Sequence, residues 1–387
     1  MTLVASSCTD VLDQMPTTED TSKDVYAEAA NYKRVLAKIY ASYVLAGQGQ
    51  GGDNGDLTSI NKQDFSRGYF NLQVANTWLS GNNLSDLTYI SWDAKDSWVS
   101  DSYYWLFFNI ALCNEFLRHC SDEEIARFSE AEQTEIRTFR SEARFMRSFS
   151  YWMVLDLYRQ GPKVDENTPV IGYIPEAYDG IGMFDFIESE LKELVAEGVS
   201  SALPATNEYG RASKPVALLA RLYLNSAVYR GNVDTKYYTE CITACKQVIS
   251  NPAFYLEPEY AKLFNADNHK RTHEILFAMV CDATTSVTWG GGTYIICGSC
   301  GNSSTQDPAK YGLSNGWGMF RARGEMTAKF GDIATTKDSR AMFYTEGQAQ
   351  FFTGAIDNQA EGYFFEKFSN LTDEGVAASN SAATGCS

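Results

Sequence analysis

The chain has 387 residues, 44% hydrophobic and 21% charged, the composition of a globular protein long enough to bury a large core. A formal net charge of −17 excludes a nucleic-acid backbone as partner, because phosphates would be repelled, and no apolar run approaches the length of a membrane span. Three histidines, His119, His269 and His273, leave little for a zinc hydrolase or a Ser-His relay and read as surface or helix-end residues. Aromatic residues are abundant, with 23 Tyr, 22 Phe and 7 Trp; such rings are either core bulk or flat apolar surfaces for a ligand, and only their location decides which.

The first residues, MTLVASSC, read as the end of an export signal. Ala5, Ser6 and Ser7 before Cys8 have the small side chains of a bacterial lipobox, whose cysteine becomes the acylated first residue; the plain alternative is a buried or free thiol. An acyl chain there would hold a domain on a membrane without spanning it. After a polar tether, the spacing predicts a helix over about 24–44 with Tyr32, Val35, Leu36, Ile39, Tyr40 and Tyr43 on one side. Residues 47–55, GQGQGGDNG, lack the Gly-Lys-Ser/Thr ending of a phosphate loop and read as punctuation.

Between Asp64 and Trp98 the turn formers Ser80, Gly81, Asn82 and Asn83 sit beside Trp78, Trp92 and Trp98, with Arg67 and Asp86 close in sequence. An exposed ring flanked by Asn, Arg and Asp is what a sugar-binding surface needs: the ring covers the C–H face and the polar groups bond the hydroxyls. A loop tryptophan can equally plug a gap beneath its loop. Residues 103–117, YYWLFFNIALCNEFL, are apolar nearly all round and predict a buried helix. A long helix over about 130–159 carries Ile136, Phe139, Arg140, Ala143, Met146, Arg147 and Tyr151 along one strip, its arginines placed to bond loop carbonyls or Glu142. Gly161-Pro162 ends it. Residues 184–195 form an amphipathic helix with Asp185, Glu188 and Glu190 on or near its polar face, where charges are usually solvated.

Residues 211–250 read as two helices folded back on each other. Ser213 can cap the first, Pro215 fits its first turn and Gly231 can close it; Val216, Leu219, Ala220, Tyr223 and Ala227 follow helical spacing while Leu218, Leu222 and Leu224 lie on other sides, which predicts burial on two faces. The second carries a single stripe, Tyr238, Cys241, Ile242, Cys245, Val248 and Ile249, stopped by Asn251-Pro252. Such a pair is one unit of a tetratricopeptide-like stack, or an ordinary helical hairpin in a core. Residues 275–280 look like a strand, and from there to about Gly324 no helical period is visible, which places Trp289, Tyr294, Tyr311 and Trp317 on loops near Asn315, Arg321 and Arg323. Neither aromatic segment contains a metal-ligand spacing or a nucleophile elbow. Cys241 and Cys245 read as core thiols rather than a metal pair, and Cys297-Gly-Ser-Cys300 has redox spacing but sits on a predicted loop; in an exported protein those two could pair.

Taken together, Cys8-Thr-Asp with LDQMPTT, then DFSRGYFNLQ, EARFMRSFSYWMVLDLYRQGPKV, RASKPVALLARLYLNSAVYRG and NGWGMFRA resemble, in order and spacing, the SusD/RagB outer-membrane lipoproteins of Bacteroidetes, over nearly the whole chain from Cys8 to about Ser381. The resemblance implies a mainly α fold: a tetratricopeptide-like helical repeat scaffold with an irregular, loop-rich ligand-binding face and a few short strands. It further implies a residual signal segment and lipobox over 1–8, and a single domain over 9–387 with helical scaffold at about 22–46, 103–160 and 182–264 and ligand-binding loops at about 47–100 and 281–323. Members are lipid-anchored on the outer membrane facing outward, bind oligosaccharides or other nutrients, pass them to a SusC-like TonB-dependent transporter, and are neither enzymes nor cofactor proteins. Matched to their motifs, Trp78 and Asn82 fall in the first binding loop, Arg67 is its hydrogen-bonding arginine, and Tyr294 and Trp317 are the second aromatic pair. The chain departs from the pattern twice. After Asn71-Leu72-Gln73 it passes straight to Val74-Ala75-Asn76 where members carry an acidic stretch, and it stops at SNSAATGCS where they continue through a further helical portion, which implies a truncated C-terminal part.

Three other functions compete with glycan capture at this level. They are peptide capture on the same fold, a helical scaffold that binds only proteins, and a glycosidase using Asp86 and Asp93 across a cleft.

Overall fold

The computed structural model describes residues 21–44, 77–79, 85–197, 215–279, 292–354 and 356–378. In chain order these hold α1 (Ala29–Val44), β1 (Thr77–Leu79), α2 (Ser85–Tyr89), α3 (Ser97–Arg118), α4 (Glu130–Tyr158), β2 (Gly161–Pro162), β3 (Ala177–Tyr178) and α5 (Gly180–Ala196). There follow α6 (Pro215–Leu224), α7 (Ser226–Arg230), α8 (Thr235–Ile249), α9 (Gly292–Ser299), β4 (Phe320–Ala322), β5 (Phe343–Tyr344) and β6 (Tyr363–Phe365). The fold is mainly α, with short strands confined to a two-stranded ribbon, β2-β3, and a four-stranded sheet in the order β1-β4-β6-β5.

The spine is α4. Its start is set by a capping box in which Ser129 and Glu132 each bond the other's backbone amide, and its end by Arg159 in the left-handed region at φ 68°, whose amide donates to the Val154 carbonyl. Helices α1, α3 and α5 pack on it, α6 packs on α5, and α8 packs on α6. Each helix therefore covers its neighbour's apolar face in sequence, the arrangement of a tetratricopeptide-like stack. The predicted face of α1 is the one that packs: Tyr32, Leu36, Ile39, Tyr40 and Tyr43 are buried, and the Tyr40 hydroxyl donates to Glu142 at 3.0 Å.

The 215–249 hairpin forms as predicted, with Pro215 in the first turn and Gly231 at φ 73° closing α7. Leu218 and Leu222 are buried beside Val216, Leu219 and Tyr223, so α6 is covered on two faces, although Leu224 is exposed. On α8 the buried line is Tyr237, Cys241 and Ala244, whereas Ile242 and Ile249 of the predicted stripe face outward. Among the described residues α8 is packed on α6, and one neighbour buries only a narrow strip of a helix. Ser213 lies outside the described residues. The strand expected at 275–280 is not formed over its described part: Phe277 instead inserts as irregular chain against Phe145 and Phe149, with ring centroids 5.1 and 5.7 Å apart.

Glu190 also departs from the sequence reading. Rather than being solvated, its side chain is 13% exposed and receives Arg144 at 3.0 Å and Arg147 at 2.8 Å. Arg147, 2% exposed, also donates to Asn114 at 2.8 Å and pairs with Glu166. The other strip arginine, Arg140, bonds the Cys120 carbonyl at 3.2 Å, a loop-carbonyl role that its position on α4 predicts. Burial alone would raise the Glu190 carboxyl, but hydrogen bonds from Arg144 and the charges of Arg147 and Arg144 outweigh it and hold the pKa below its ordinary 4.5.

A lowered carboxylate pKa contributes stability that is present above about pH 4.5 and is lost as pH falls through the folded-state value. Glu190→Gln is therefore expected to cost about 3 kcal/mol at neutral pH, because two guanidinium groups lose a shared partner. Urea unfolding at neutral pH and in acid checks this: the gap between wild type and variant narrows on acidification.

Candidate functional site

The two aromatic segments, far apart in sequence, meet in the four-stranded sheet. Strand β1 pairs antiparallel with β4 in the register Thr77 with Ala322, Trp78 with Arg321, and Leu79 with Phe320. The Leu79 end of β1 thus lies beside the Phe320 end of β4, just downstream of Trp317. Among the described strands Trp78 has its backbone on an edge one; Arg67, Asn82, Trp289 and Cys8 lie outside the described residues.

Trp317 is positioned from below by a helix that the sequence reading treated as loop. α9 runs apolar from Thr293 into Cys300, buried nearly throughout, so no polar face betrays its period. Its C-terminal carbonyls, which lack partners inside the helix, accept from the next segment: Trp317 N–H bonds Cys297, Gly318 bonds Cys300 and Met319 bonds Gly298, each at 2.8 Å. Gly318 sits at φ 63°, and Gly298 lets Phe320 approach so closely that an added Cβ would lie 2.3 Å from its ring. Cys297 and Cys300 are therefore at a helix C-terminus rather than on a loop; both are buried thiols not joined in a disulfide, and burial pushes the Cys300 thiol up to about 12, the opposite of a redox-active thiol.

Tyr294 is a correction to the exposed-platform expectation. It is 3% exposed, with its ring edge-on to Phe320 at 5.0 Å and to Trp317 at 6.3 Å. It supports the indole rather than offering a surface of its own. Trp317 is half-buried, and Asn315 beside it is exposed. Arg321 and Arg323, read as polar neighbours of the rings, are structural. Arg321 is fully buried and donates to the carbonyls of Ile356, Asn358 and Glu361, the last at 2.8 Å, while lying 5.0 Å from the centre of the Phe352 ring. Burial pulls its pKa down to about 10, which leaves it charged at neutral pH. Arg323 bonds the Thr88 carbonyl at 2.6 Å and so ties β4 to α2.

That tie fixes a third group of rings. α2 packs on β1 and ends in Tyr89, Ile90, Ser91 and Trp92, all exposed, Trp92 by 41%. Ile90 has φ 57°, a left-handed conformation that costs a β-branched residue about 1–3 kcal/mol. Nothing in a Tyr-Ile-Ser-Trp string announces such a turn, which is why Tyr89 and Ile90 escape a sequence reading that finds Trp92. Trp98, expected on a loop, lies in α3. Asp86 and Asp93 are both exposed and taken up by local turns, Asp86 bonded by the Ser91 hydroxyl at 3.4 Å and Asp93 by the Lys95 amide at 2.7 Å. Among the described residues no three His, Cys, Asp or Glu side chains are grouped to hold a metal ion, and no helix is long and apolar enough to cross a membrane.

This stack of paired helices with a loop-rich face has the fold of solved SusD superfamily structures. The starch-binding protein SusD of Bacteroides thetaiotaomicron is 29% identical over 309 residues, which is 76% of this chain and 52% of that protein, so the chain spans about half the length of the curated relative it matches. Surface glycan-binding protein A from Bacteroides fluxus superposes with a TM-score of 0.62 at 17% identity, covering 89% of this chain and 69% of that one. A SusD superfamily protein from Parabacteroides distasonis gives 0.62 at 17% identity, covering 95% and 72%. No family model matches. The chain is thus similar in sequence to SusD and shares its fold with SusD superfamily structures.

Gly298→Ala is expected to lower stability by about 1–3 kcal/mol through overpacking against Phe320 and to perturb the environment of Trp317. Thermal unfolding and tryptophan fluorescence read both effects.

Proposed function

We propose that the protein is a cell-surface glycan-binding lipoprotein that captures oligosaccharides and passes them to a SusC-like TonB-dependent transporter without catalysis. The observation that supports this reading is the β1–β4 pairing, which sets Trp78 opposite Arg321 on the strand that follows Trp317 in the chain. The names of the similar proteins, starch-binding and glycan-binding, support the cargo class. In this reading Trp78 and Trp317 stack on sugar faces, Arg67 and Asn82 select hydroxyls, and Tyr294 holds Trp317 in place. Trp92, exposed on the adjoining turn, extends the aromatic surface. Single ring contacts contribute about 1 kcal/mol each, which suits a protein that must release what it captures. Acylation of Cys8 would anchor the domain to the outer membrane, facing outward.

Affinity electrophoresis in polysaccharide gels tests the proposal. Trp78→Ala is expected to weaken retention by about fivefold while leaving the melting temperature nearly unchanged; a variant that retains full binding sinks the assignment. Tyr294→Ala is expected to lower the melting temperature, because its ring packing against Phe320 and Trp317 is lost. Peptide cargo is the second reading, favoured by the position of β1 at the edge of the sheet formed by the described residues, where an extended chain could add as a further strand. Competition by free oligosaccharide separates the two, since added sugar displaces a glycan and leaves a strand-paired peptide bound.

A further inference from the structure

The opposite edge of the same sheet carries a second concavity, which glycan capture on the β1 side does not use. It is a cleft of about 390 Å³ beside β5 and the end of β6, within the size range of small-molecule sites. Phe330, Phe343, Phe365 and Tyr260 supply apolar and aromatic lining, with Phe343 centred 5.5 Å from Phe330 and 5.9 Å from Phe365. At its polar wall stand Lys329, Arg340, Lys367 and one acid, Asp338.

Those charges do not cancel. Asp338 is engaged by Arg340 through two bonds of 2.9 and 2.6 Å, which uses the acid and the guanidinium on each other. Lys329 is exposed, and Lys367 is half-buried with its ammonium 4.6 and 4.8 Å from the ring centres of Phe264 and Phe368. Among the described residues neither lysine has a carboxylate in ion-pair reach. Two lysines without a carboxylate partner on the lining of one aromatic cleft stand out in a chain of net charge −17, where lysines have acids in excess to pair with. Burial lowers the pKa of Lys367, a cost that an incoming anion would offset.

The shape limits the ligand. The aromatic floor calls for a ring, and two separate ammonium groups with the only fork already engaged call for one compact anionic group. We propose that this cleft binds a small cyclic carboxylate, the ring resting on Phe343 and Phe365 and the carboxylate held by Lys367 and Lys329. Sugar acids and aromatic acids share that chemistry. The site stands independently of glycan capture at Trp78 and Trp317.

Isothermal titration of the full chain with galacturonate and with benzoate tests it, against galactose and benzyl alcohol as the uncharged counterparts. At least one acid is expected to bind in a salt-sensitive manner, with its neutral counterpart weaker by about tenfold or more. Lys329→Gln and Lys367→Met should each weaken the acid by about tenfold, and Asp338→Asn should strengthen it by removing a like charge from the rim. Lys329 is exposed, so its variant keeps the fold even where Lys367→Met loses it. Stronger binding of galacturonate identifies a sugar-acid site, and stronger binding of benzoate an aromatic-acid site. Equal binding of acid and neutral ring, no binding of either acid at millimolar concentration, or an undiminished Lys329→Gln response overturns the proposal. The Trp78→Ala variant retains the carboxylate site, so loss of glycan capture and loss of this site are read separately.

Discussion

A guanidinium charge buried in the middle of the helical stack is the constraint around which the scaffold is arranged. Arg147 projects from α4 at 2% exposure, and a lone charge there would cost several kcal/mol. Its compensation comes from three other places: Asn114 on α3, Glu166 in the connection after β2, and Glu190 on α5. Each partner has to arrive at bonding distance, so the mutual positions of α3, α4 and α5 are specified more tightly than apolar packing alone would require. Arg144, one turn earlier on α4, extends the set by drawing Glu193 and Glu197 onto the same side of α5.

The loop-rich part repeats the device with backbone carbonyls in place of carboxylates. Arg321 is fully buried within β4 and gathers the carbonyls of residues 356–361, while Arg323 at the end of that strand holds α2. Because β4 is also the strand that receives β1, the two arginines and α9 together brace the place where the aromatic segments meet. Irregular segments can present rings in defined positions only if something rigid lies beneath them, and here that support is a short sheet and one apolar helix.

The same sheet separates two chemistries. Its β1 edge joins tryptophan-bearing segments to the exposed Tyr89–Trp92 turn, and its β5 edge borders a cleft in which lysines outnumber acids free to pair with them. A strongly acidic molecule can keep a local positive site because charge pairs within a few ångströms dominate over the screened field of distant carboxylates. Neutral and anionic ligands would thus be met at different places on one scaffold.

Periodicity and caps determined most of the helical part. The faces of α1 and α4, the stop before Gly161-Pro162 and the hairpin through Gly231 were legible because one side of each helix is apolar and its end carries a breaking residue. Composition and motif order also located the aromatic segments. What tertiary structure alone decided were the features in which burial hides the pattern or distant residues supply the partner. α9 is apolar on all sides and has no readable period; Tyr294 therefore looked like a loop ring and is a core ring. Glu190 sits at a helix position that is solvated by default and is buried because Arg144 and Arg147 come to it. The antiparallel register of Trp78 with Arg321 joins strands some 240 residues apart. No local propensity encodes that pairing, since three-residue strands are stabilised by the neighbours they find rather than by their own sequence.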